Sequence, residues 1–240
     1  MKAEPADQAS LLTIVDLDAQ AKAAETHLRT LPEHEQLNTL NERRRTLADE
    51  ATAAATRASD SSAAMQRVEE DLATARARRQ RDQQRIDDGV VNDARSIASL
   101  QDEIAHLKGR IDELEDKQLE LMMSIEDDQK TADTAKADRV AVETQMRALL
   151  ASRDAAAAAI SEEQAELAAK RKTLTDSLPA DLVALYEKAA IRGGGGASAL
   201  KGGRCTGCGL MLDALANKAA VEAPADDVVR CAECGRILVR

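Results

Sequence analysis

The sequence IASLQDEIAHLKGRIDELEDKQLELMMSI, residues 97–125, has the most regular apolar pattern in the chain. Its aliphatic residues recur in alternating steps of three and four, with one interruption at Gln118. These residues are Ile97, Leu100, Ile104, Leu107, Ile111, Leu114, Leu121 and Ile125. Such spacing places them along one stripe of an α-helix, as in a coiled coil. The stretch therefore predicts a long helix that buries this stripe against another helix.

A second apolar seam lies immediately upstream, from Leu37 to Ile86, and only residues 87–92 separate the two predicted helices. Gly89 in that segment can turn the chain, and Asn92 or Asp93 can cap the next helix. Because a short turn joins two long helices, we expect antiparallel neighbours in which residue i faces roughly residue 180 − i.

A third apolar seam ends at Leu31, and Pro32 favours the first turn of a new helix. The predicted helices therefore span about residues 8–31, 33–86 and 93–176, with the tip of the hairpin at 87–92. We divide the chain into a coiled-coil hairpin at 1–176, a short helix with a four-glycine linker at 177–196, and a separate zinc-ribbon domain at 197–240.

All 4 cysteines lie in the last 36 residues, as two C-x-x-C pairs that are each followed by glycine. They are Cys205, Cys208, Cys231 and Cys234. Four thiolates from two such turns can surround one Zn²⁺ ion tetrahedrally, and a site with four protein ligands has no open position for a substrate. We therefore expect one structural Zn²⁺ ion. Two disulfides, a redox-active C-x-x-C pair and a rubredoxin-type iron site are the alternatives.

Composition supports long helices rather than a compact core. The 240 residues include no Phe, no Trp, a single Tyr and only 4 Pro, while 32% are charged. A globular core of this size would normally use aromatic side chains as its bulkiest filler. The expected fold is therefore mostly α: a long antiparallel coiled-coil helical hairpin plus a small C-terminal zinc ribbon with four cysteine ligands.

The first residues do not resemble an export signal, and no membrane span is expected. Acidic residues, not an apolar run, follow the first five residues, and no apolar run approaches the roughly 18 residues of a membrane span. Cysteines confined to one metal-like cluster fit a reducing compartment. We expect a cytoplasmic protein.

Basic residues form a second set of candidates, although the net charge is −10. One group surrounds the cysteines: Lys201, Arg204, Arg230 and Arg236. The other precedes the tip: Arg76, Arg78, Arg79 and Arg81. Either group can contact nucleic-acid phosphates or a partner protein. Alternatively, the arginines beside the cysteines offset the charge of a metal–thiolate centre, and those near the tip pair with acids across the hairpin.

Three segments together resemble a bacterial family, the C4-type zinc-ribbon proteins with a long coiled-coil hairpin. They are Leu100-x-x-Glu103-Ile104-x-x-Leu107, Leu182-x-x-Leu185-Tyr186-Glu187, and Cys231-x-x-Cys234-Gly235-Arg236-Ile237-Leu238. The tip departs from the family, which often has Asn-Pro there, because Asn92 is followed by Asp93. The resemblance implies zinc, the hairpin and a non-enzymatic role in bridging proteins or binding nucleic acid.

Three functions are compatible with these features. The first is a non-enzymatic adaptor or chaperone-like protein that binds protein partners along the coiled-coil arm. The second is a regulatory protein that binds nucleic acid through the basic zinc-ribbon head. The third is a transcription factor that inserts its hairpin into a polymerase channel, suggested by Asp87, Asp88 and Asp93 at the tip. An enzyme is not expected, because the sequence contains no nucleophile–base pair and no phosphate-binding loop.

Overall fold

The computed structural model describes residues 1–191 and 193–240 and confirms the long helical hairpin. Its helices are α1 (Pro5–Arg29), α2 (Pro32–Asp87), α3 (Ala94–Asp176), α4 (Ala180–Ala190) and α5 (Ala214–Glu222). Its strands are β1 (Ala197–Lys201), β2 (Arg204–Cys205), β3 (Val229–Arg230) and β4 (Ile237–Val239). No helix in the described ranges is long and apolar enough to cross a membrane.

The chain forms two compact units. The cysteine unit comprises Met1–Glu35 and Leu150–Arg240, and the two-helix unit comprises Gln36–Leu149. This division differs from the predicted one at 1–176, 177–196 and 197–240, because the first helix and the end of the third belong with the C-terminal module. Each unit has its own buried clusters.

In the two-helix unit, α2 and α3 bury the predicted seams against each other. Leu47 and Ala51 cluster with Ala135, and Ala75 clusters with Leu107 and Ile111. The expected partners of residues 47 and 75 were residues 133 and 105, whereas residue 47 clusters with residue 135, and residue 75 with residues 107 and 111. Antiparallel packing is thus as predicted, while residues of α2 face α3 two to six residues further along the chain than expected.

The turn between α2 and α3 follows from two residues. Gly89 adopts a φ of +64°, which favours glycine. The Asp93 carboxylate accepts a hydrogen bond from the backbone N–H of Ser96 at 2.8 Å, so Asp93 rather than Asn92 caps α3. Hydrogen bonds from Ser96 also lower the pKa of Asp93. One of the three tip aspartates therefore already has a structural role.

The core of the cysteine unit contains its largest buried side chains. Leu11 and Ile14 of α1 pack with Leu182 and Tyr186 of α4 and with Ile237 of β4. All five are fully buried. Helices α1 and α4 therefore share one core with the sheet, instead of standing apart from it as separate domains.

The strands form one sheet in the order β2-β1-β4-β3. The β1–β4 pair is parallel, and the other two pairs are antiparallel. Residues 228–230 and 237–239 contain strands β3 and β4, whereas 210–212 contributes only an isolated bridge between Met211 and Arg204.

The glycine segment, residues 193–196, packs against neighbouring elements of the cysteine unit. The carbonyl of Gly196 accepts a hydrogen bond from the N–H of Ile237 at 2.9 Å. A Cβ at Gly196 would collide with the Tyr186 carbonyl and ring, and one at Gly195 would lie 3.0 Å from Val15. The glycines therefore allow β1 to lie close to α4 and α1. The predicted four-glycine linker is thus a packed segment.

Candidate metal centre

The first cysteine pair lies in a tight turn that begins at β2. Cys205 donates its backbone N–H to Leu210, at 3.0 Å, and its carbonyl accepts the N–H of Gly209, at 2.9 Å. Gly209 has a φ of +74°, which glycine adopts without strain. This folding of the backbone brings the side chains of Cys205 and Cys208 to one side of the turn.

The second pair repeats the same geometry. The backbone N–H of Cys231 donates to Arg236, at 2.9 Å, and its carbonyl accepts the N–H of Gly235, at 2.9 Å. Gly235 also has a φ of +74°. The sequence repeat R-C-x-x-C-G at 204–209 and 230–235 is thus a structural repeat, and the two turns face each other through their sulfurs.

The four sulfur atoms all lie within 4.8 Å of one another. Sγ of Cys205 is 3.8 Å from Sγ of Cys234, and Sγ of Cys208 is 3.9 Å from Sγ of Cys231. A disulfide would need about 2.05 Å, so these are free thiols and the disulfide alternative is wrong. Tetrahedral coordination with bonds of about 2.3 Å requires sulfur–sulfur distances of about 3.8 Å. The cluster therefore has the dimensions of a metal site.

The chemistry of the donor set fits a cation as well. Burial raises the pKa of the Cys205 thiol, but hydrogen bonds from Ser198 and from the backbone N–H groups of Cys208 and Gly207 outweigh this and lower it to about 6. The pKa of Cys234 is raised to about 12 by burial and by the neighbouring thiols. Four closely spaced thiols cannot all ionise without a cation, because the thiolates would repel one another. A bound cation would offset that repulsion.

The helical part of the chain matches a known domain family. The CT398-like coiled coil hairpin domain family matches residues 14–194 of the chain. The chain belongs to this family. The family match ends before Cys205, so family membership establishes the hairpin but not the metal module.

Individual relatives agree with this assignment. The uncharacterized protein Rv2229c of Mycobacterium tuberculosis is 31% identical over 240 residues, covering 100% of this chain and 98% of that protein. A solved Mycobacterium smegmatis structure is 30% identical and covers 100% of both chains with a TM-score of 0.84. The HP0958 protein of Helicobacter pylori is 18% identical, covers 97% of this chain and 96% of its own, and has a TM-score of 0.51, which supports the fold alone.

The arginines beside the cysteines of this family member are bonded to backbone carbonyls. Arg204 donates to the carbonyl of Gly209, at 2.5 Å, and Arg230 donates to the carbonyl of Gly235, at 2.9 Å. Each guanidinium therefore braces its own cysteine turn. Sequence reasoning missed this role, although the repeated R-C-x-x-C-G pattern was a signal for it.

Arg236 and Lys201 are placed differently. Arg236 donates to the carbonyls of Gly193, at 2.6 Å, and Gly195, at 3.1 Å, which ties the glycine segment to the second turn. Lys201 is exposed at the end of β1. Of these two, only Lys201 projects into solvent without such a backbone role among the described residues.

The candidate arginines near the tip lie in the two-helix unit. Arg76 pairs with Glu115 at 2.6 Å, and Arg78 pairs with Glu103 at 2.8 Å, as the cross-hairpin alternative predicts. Arg79 and Arg81 are exposed, and no ion pair within 1–191 and 193–240 involves either. The four head candidates and the four tip candidates therefore belong to different units, and their contacts give them no shared role.

Two further clusters escaped the sequence analysis. The buried Tyr186 hydroxyl donates to Asp18 at 2.8 Å, and Arg171 joins Asp18 to Glu187, so α1, α3 and α4 meet at these side chains. Arg240 donates to four carbonyls, those of Ala220, Ala223, Pro224 and Asp227. The isolated tyrosine was a signal for the first cluster, whereas nothing in the local sequence indicates the second.

Proposed function

We propose that the protein is a non-enzymatic interaction protein whose helical hairpin binds a partner protein and whose C-terminal module is a zinc ribbon. The observation that carries this proposal is an uncovered apolar surface on α3 of the two-helix unit. Leu119, Met122, Met123 and Val140 have exposed fractions of 59%, 52%, 72% and 55%. Exposed apolar surface of this kind is typical of interaction sites, and helical flanks accept amphipathic partner helices.

Zinc is the proposed metal because four thiolates at tetrahedral spacing are its usual structural ligand set. The ion would join the turn at Cys205 to the turn at Cys231, which are far apart in sequence. With every coordination position taken by sulfur, it would serve stability and not catalysis. Elemental analysis of purified protein should give one zinc per chain, and an iron-loaded or metal-free soluble protein would contradict this assignment.

Nucleic-acid binding by the zinc-ribbon head has less support. Arg204, Arg230 and Arg236 donate to backbone carbonyls, which leaves Lys201 as the head candidate without such a bond among the described residues. Binding to phosphates would also fall steeply with added salt. Tight oligonucleotide binding that weakens with salt and depends on Lys201 would favour this function over protein binding.

The proposed protein interaction can be tested in cells with a photo-crosslinking amino acid. We would place it at Met123, at Val140 and, as a control, at the exposed polar His106 on another face of the same helix. We expect a discrete protein adduct from Met123 or Val140 that is absent from His106. Adducts of equal yield at all three positions, or none at any, would contradict a specific protein-binding role for the hairpin.

A further inference from the structure

One face of α3 carries apolar side chains that the hairpin does not cover. The inward stripe continues through Leu114, Leu121 and Ile125, which are buried or half-buried. Leu119, Met122 and Met123 lie three and four residues apart on a different face and are exposed. A heptad helix needs no apolar residues there, so packing within the hairpin does not explain them.

The opposite helix leaves this face open because its side chains are small. Arg57 pairs with Asp128, and Gln118 bonds to Glu69, so these contacts bracket the segment of α2 that lies across from Met122. That segment is rich in Ala and Ser, and Met65 is the largest apolar residue in it. A shallow groove of about 440 Å³ results, and the Met patch, defined as Met65, Leu119, Met122 and Met123, lines it.

The surroundings of the Met patch are strongly acidic. Between residues 112 and 133, α3 carries nine carboxylates and two lysines. Glu126 lines the groove itself, and the neighbouring Asp127 is exposed. An apolar strip within an acidic surface is complementary to a strip of apolar residues flanked by cations.

We propose that the Met patch docks a basic amphipathic helix of a partner protein. This inference rests on the proposed function and names the chemistry of the partner. A helix fits because the groove lies between two helices, whose backbone groups are already paired and cannot extend a strand. Met122 and Met123 are unbranched and adaptable, so they can fill the spaces between the side chains of an incoming helix.

The acidic surface around the Met patch argues against a second copy of this chain and against a membrane as the bound partner. A second copy of this face would bring one acidic surface against another, and an anionic membrane would repel it as well. A basic helix would place Lys or Arg beside Glu126 and Asp127 while its apolar face covers the methionines. Electrostatics would speed the encounter, and burial of the apolar side chains would supply most of the affinity.

The test uses the full chain and a labelled designed peptide of about five helical turns, with leucines on one face and lysines beside them. We expect saturable binding by fluorescence anisotropy that weakens with salt. The double variant Met122→Ser/Met123→Ser should weaken binding at least about tenfold. Val90→Ser, which removes an exposed apolar side chain at the tip of the hairpin, should leave binding unchanged.

Three results would overturn the inference. They are equal binding of a peptide with glutamates in place of the lysines, equal binding by the double variant, and a dimer or vesicle complex that the double variant loses. The same double substitution also separates this inference from the proposed function. If the cellular adduct formed from Val140 persists in the double variant, the hairpin binds a partner but not through the Met patch. If no position on the hairpin yields an adduct, the proposed protein-binding function itself is contradicted.

Discussion

The cysteine unit and the two-helix unit both contain parts of α2 and α3, yet they achieve burial by different means. In the cysteine unit, α1, α4 and the sheet pack into one core, so Leu11, Ile14 and Tyr186 are fully buried. In the two-helix unit, each helix has one neighbour, and its buried positions are mostly alanines such as Ala54 and Ala135. A two-helix pair can bury only a narrow seam, which leaves its flanks exposed.

This comparison predicts that the two units fail separately. Cys231→Ser removes one of the proposed metal ligands and should abolish amide-exchange protection at 197–240. Because Ile237 of β4 shares a core with Leu11 and Tyr186, protection in α1 and α4 should fall as well. Structural zinc sites contribute on the order of 10 kcal/mol to folding, so this is the largest expected effect. Exchange at 47–75 and 107–135 should not change.

Ala232→Ser is the matched control for that experiment. It makes an exposed change next to Cys231 and keeps all four sulfurs, so both units should retain their protection. A strong zinc chelator added to the unaltered chain should reproduce the pattern of Cys231→Ser. Loss of protection throughout 47–135 would show that the two units unfold as one.

Tyr186 tests how much the cysteine unit depends on its single aromatic side chain. Tyr186→Ala should lower the free energy of unfolding of that unit by about 3–5 kcal/mol, because a fully buried ring is lost. Tyr186→Phe keeps the ring but leaves Asp18 without the hydroxyl, and should cost about 1–3 kcal/mol. Urea unfolding, followed by amide exchange at α4, measures both values.

The stabilising role of the Tyr186 hydroxyl can also be tested by varying the pH. Burial and then the hydrogen bond to Asp18 raise the pKa of Tyr186 above its ordinary value. The stabilisation linked to this shift is fully present below the unfolded pKa of about 10 and is lost as the pH rises above it. Between neutral and alkaline pH, the stability difference between the parent and Tyr186→Phe should therefore shrink. A difference independent of pH would contradict the assigned role of the hydroxyl.

The same comparison explains how much of each unit could be predicted from the sequence. The heptads from Ile97 to Ile125 predicted α3 because its burial pattern is local and periodic. Strand β1 was missed because Ala197–Lys201 contains no β-branched or aromatic residue, and it becomes a strand through parallel pairing with β4, about forty residues later. The cysteines were identified because their spacing is itself the signal. The carbonyl partners of Arg236 depend on the tertiary fold and leave no local signal.

Ala54 tests the narrow seam of the two-helix unit. Its side chain is fully buried, so Ala54→Leu should overpack the helix interface and cost about 1–3 kcal/mol. Ala53→Leu is the matched control, because Ala53 is exposed and leucine is a good helix former. Thermal melting of each variant measures the difference. Equal effects at the two positions would mean that α2 does not bury Ala54 against α3.

The smallest predicted effects concern one ion pair from each unit. Arg57→Gln removes a bridge to Asp128 in which Arg57 is 56% exposed, and this should cost under about 1 kcal/mol because water screens such pairs. Arg171→Gln removes bonds to both Asp18 and Glu187 from a guanidinium that is 31% exposed. Its cost should be larger, since Asp18 is also fixed by Tyr186 and loses its cation within a partly desolvated cluster. Urea unfolding at low and high salt should show this difference, with the smaller salt response at Arg171. Equal costs would mean that the denser packing around α4 does not strengthen its charged contacts, and the contrast between the units would then lie in apolar burial alone.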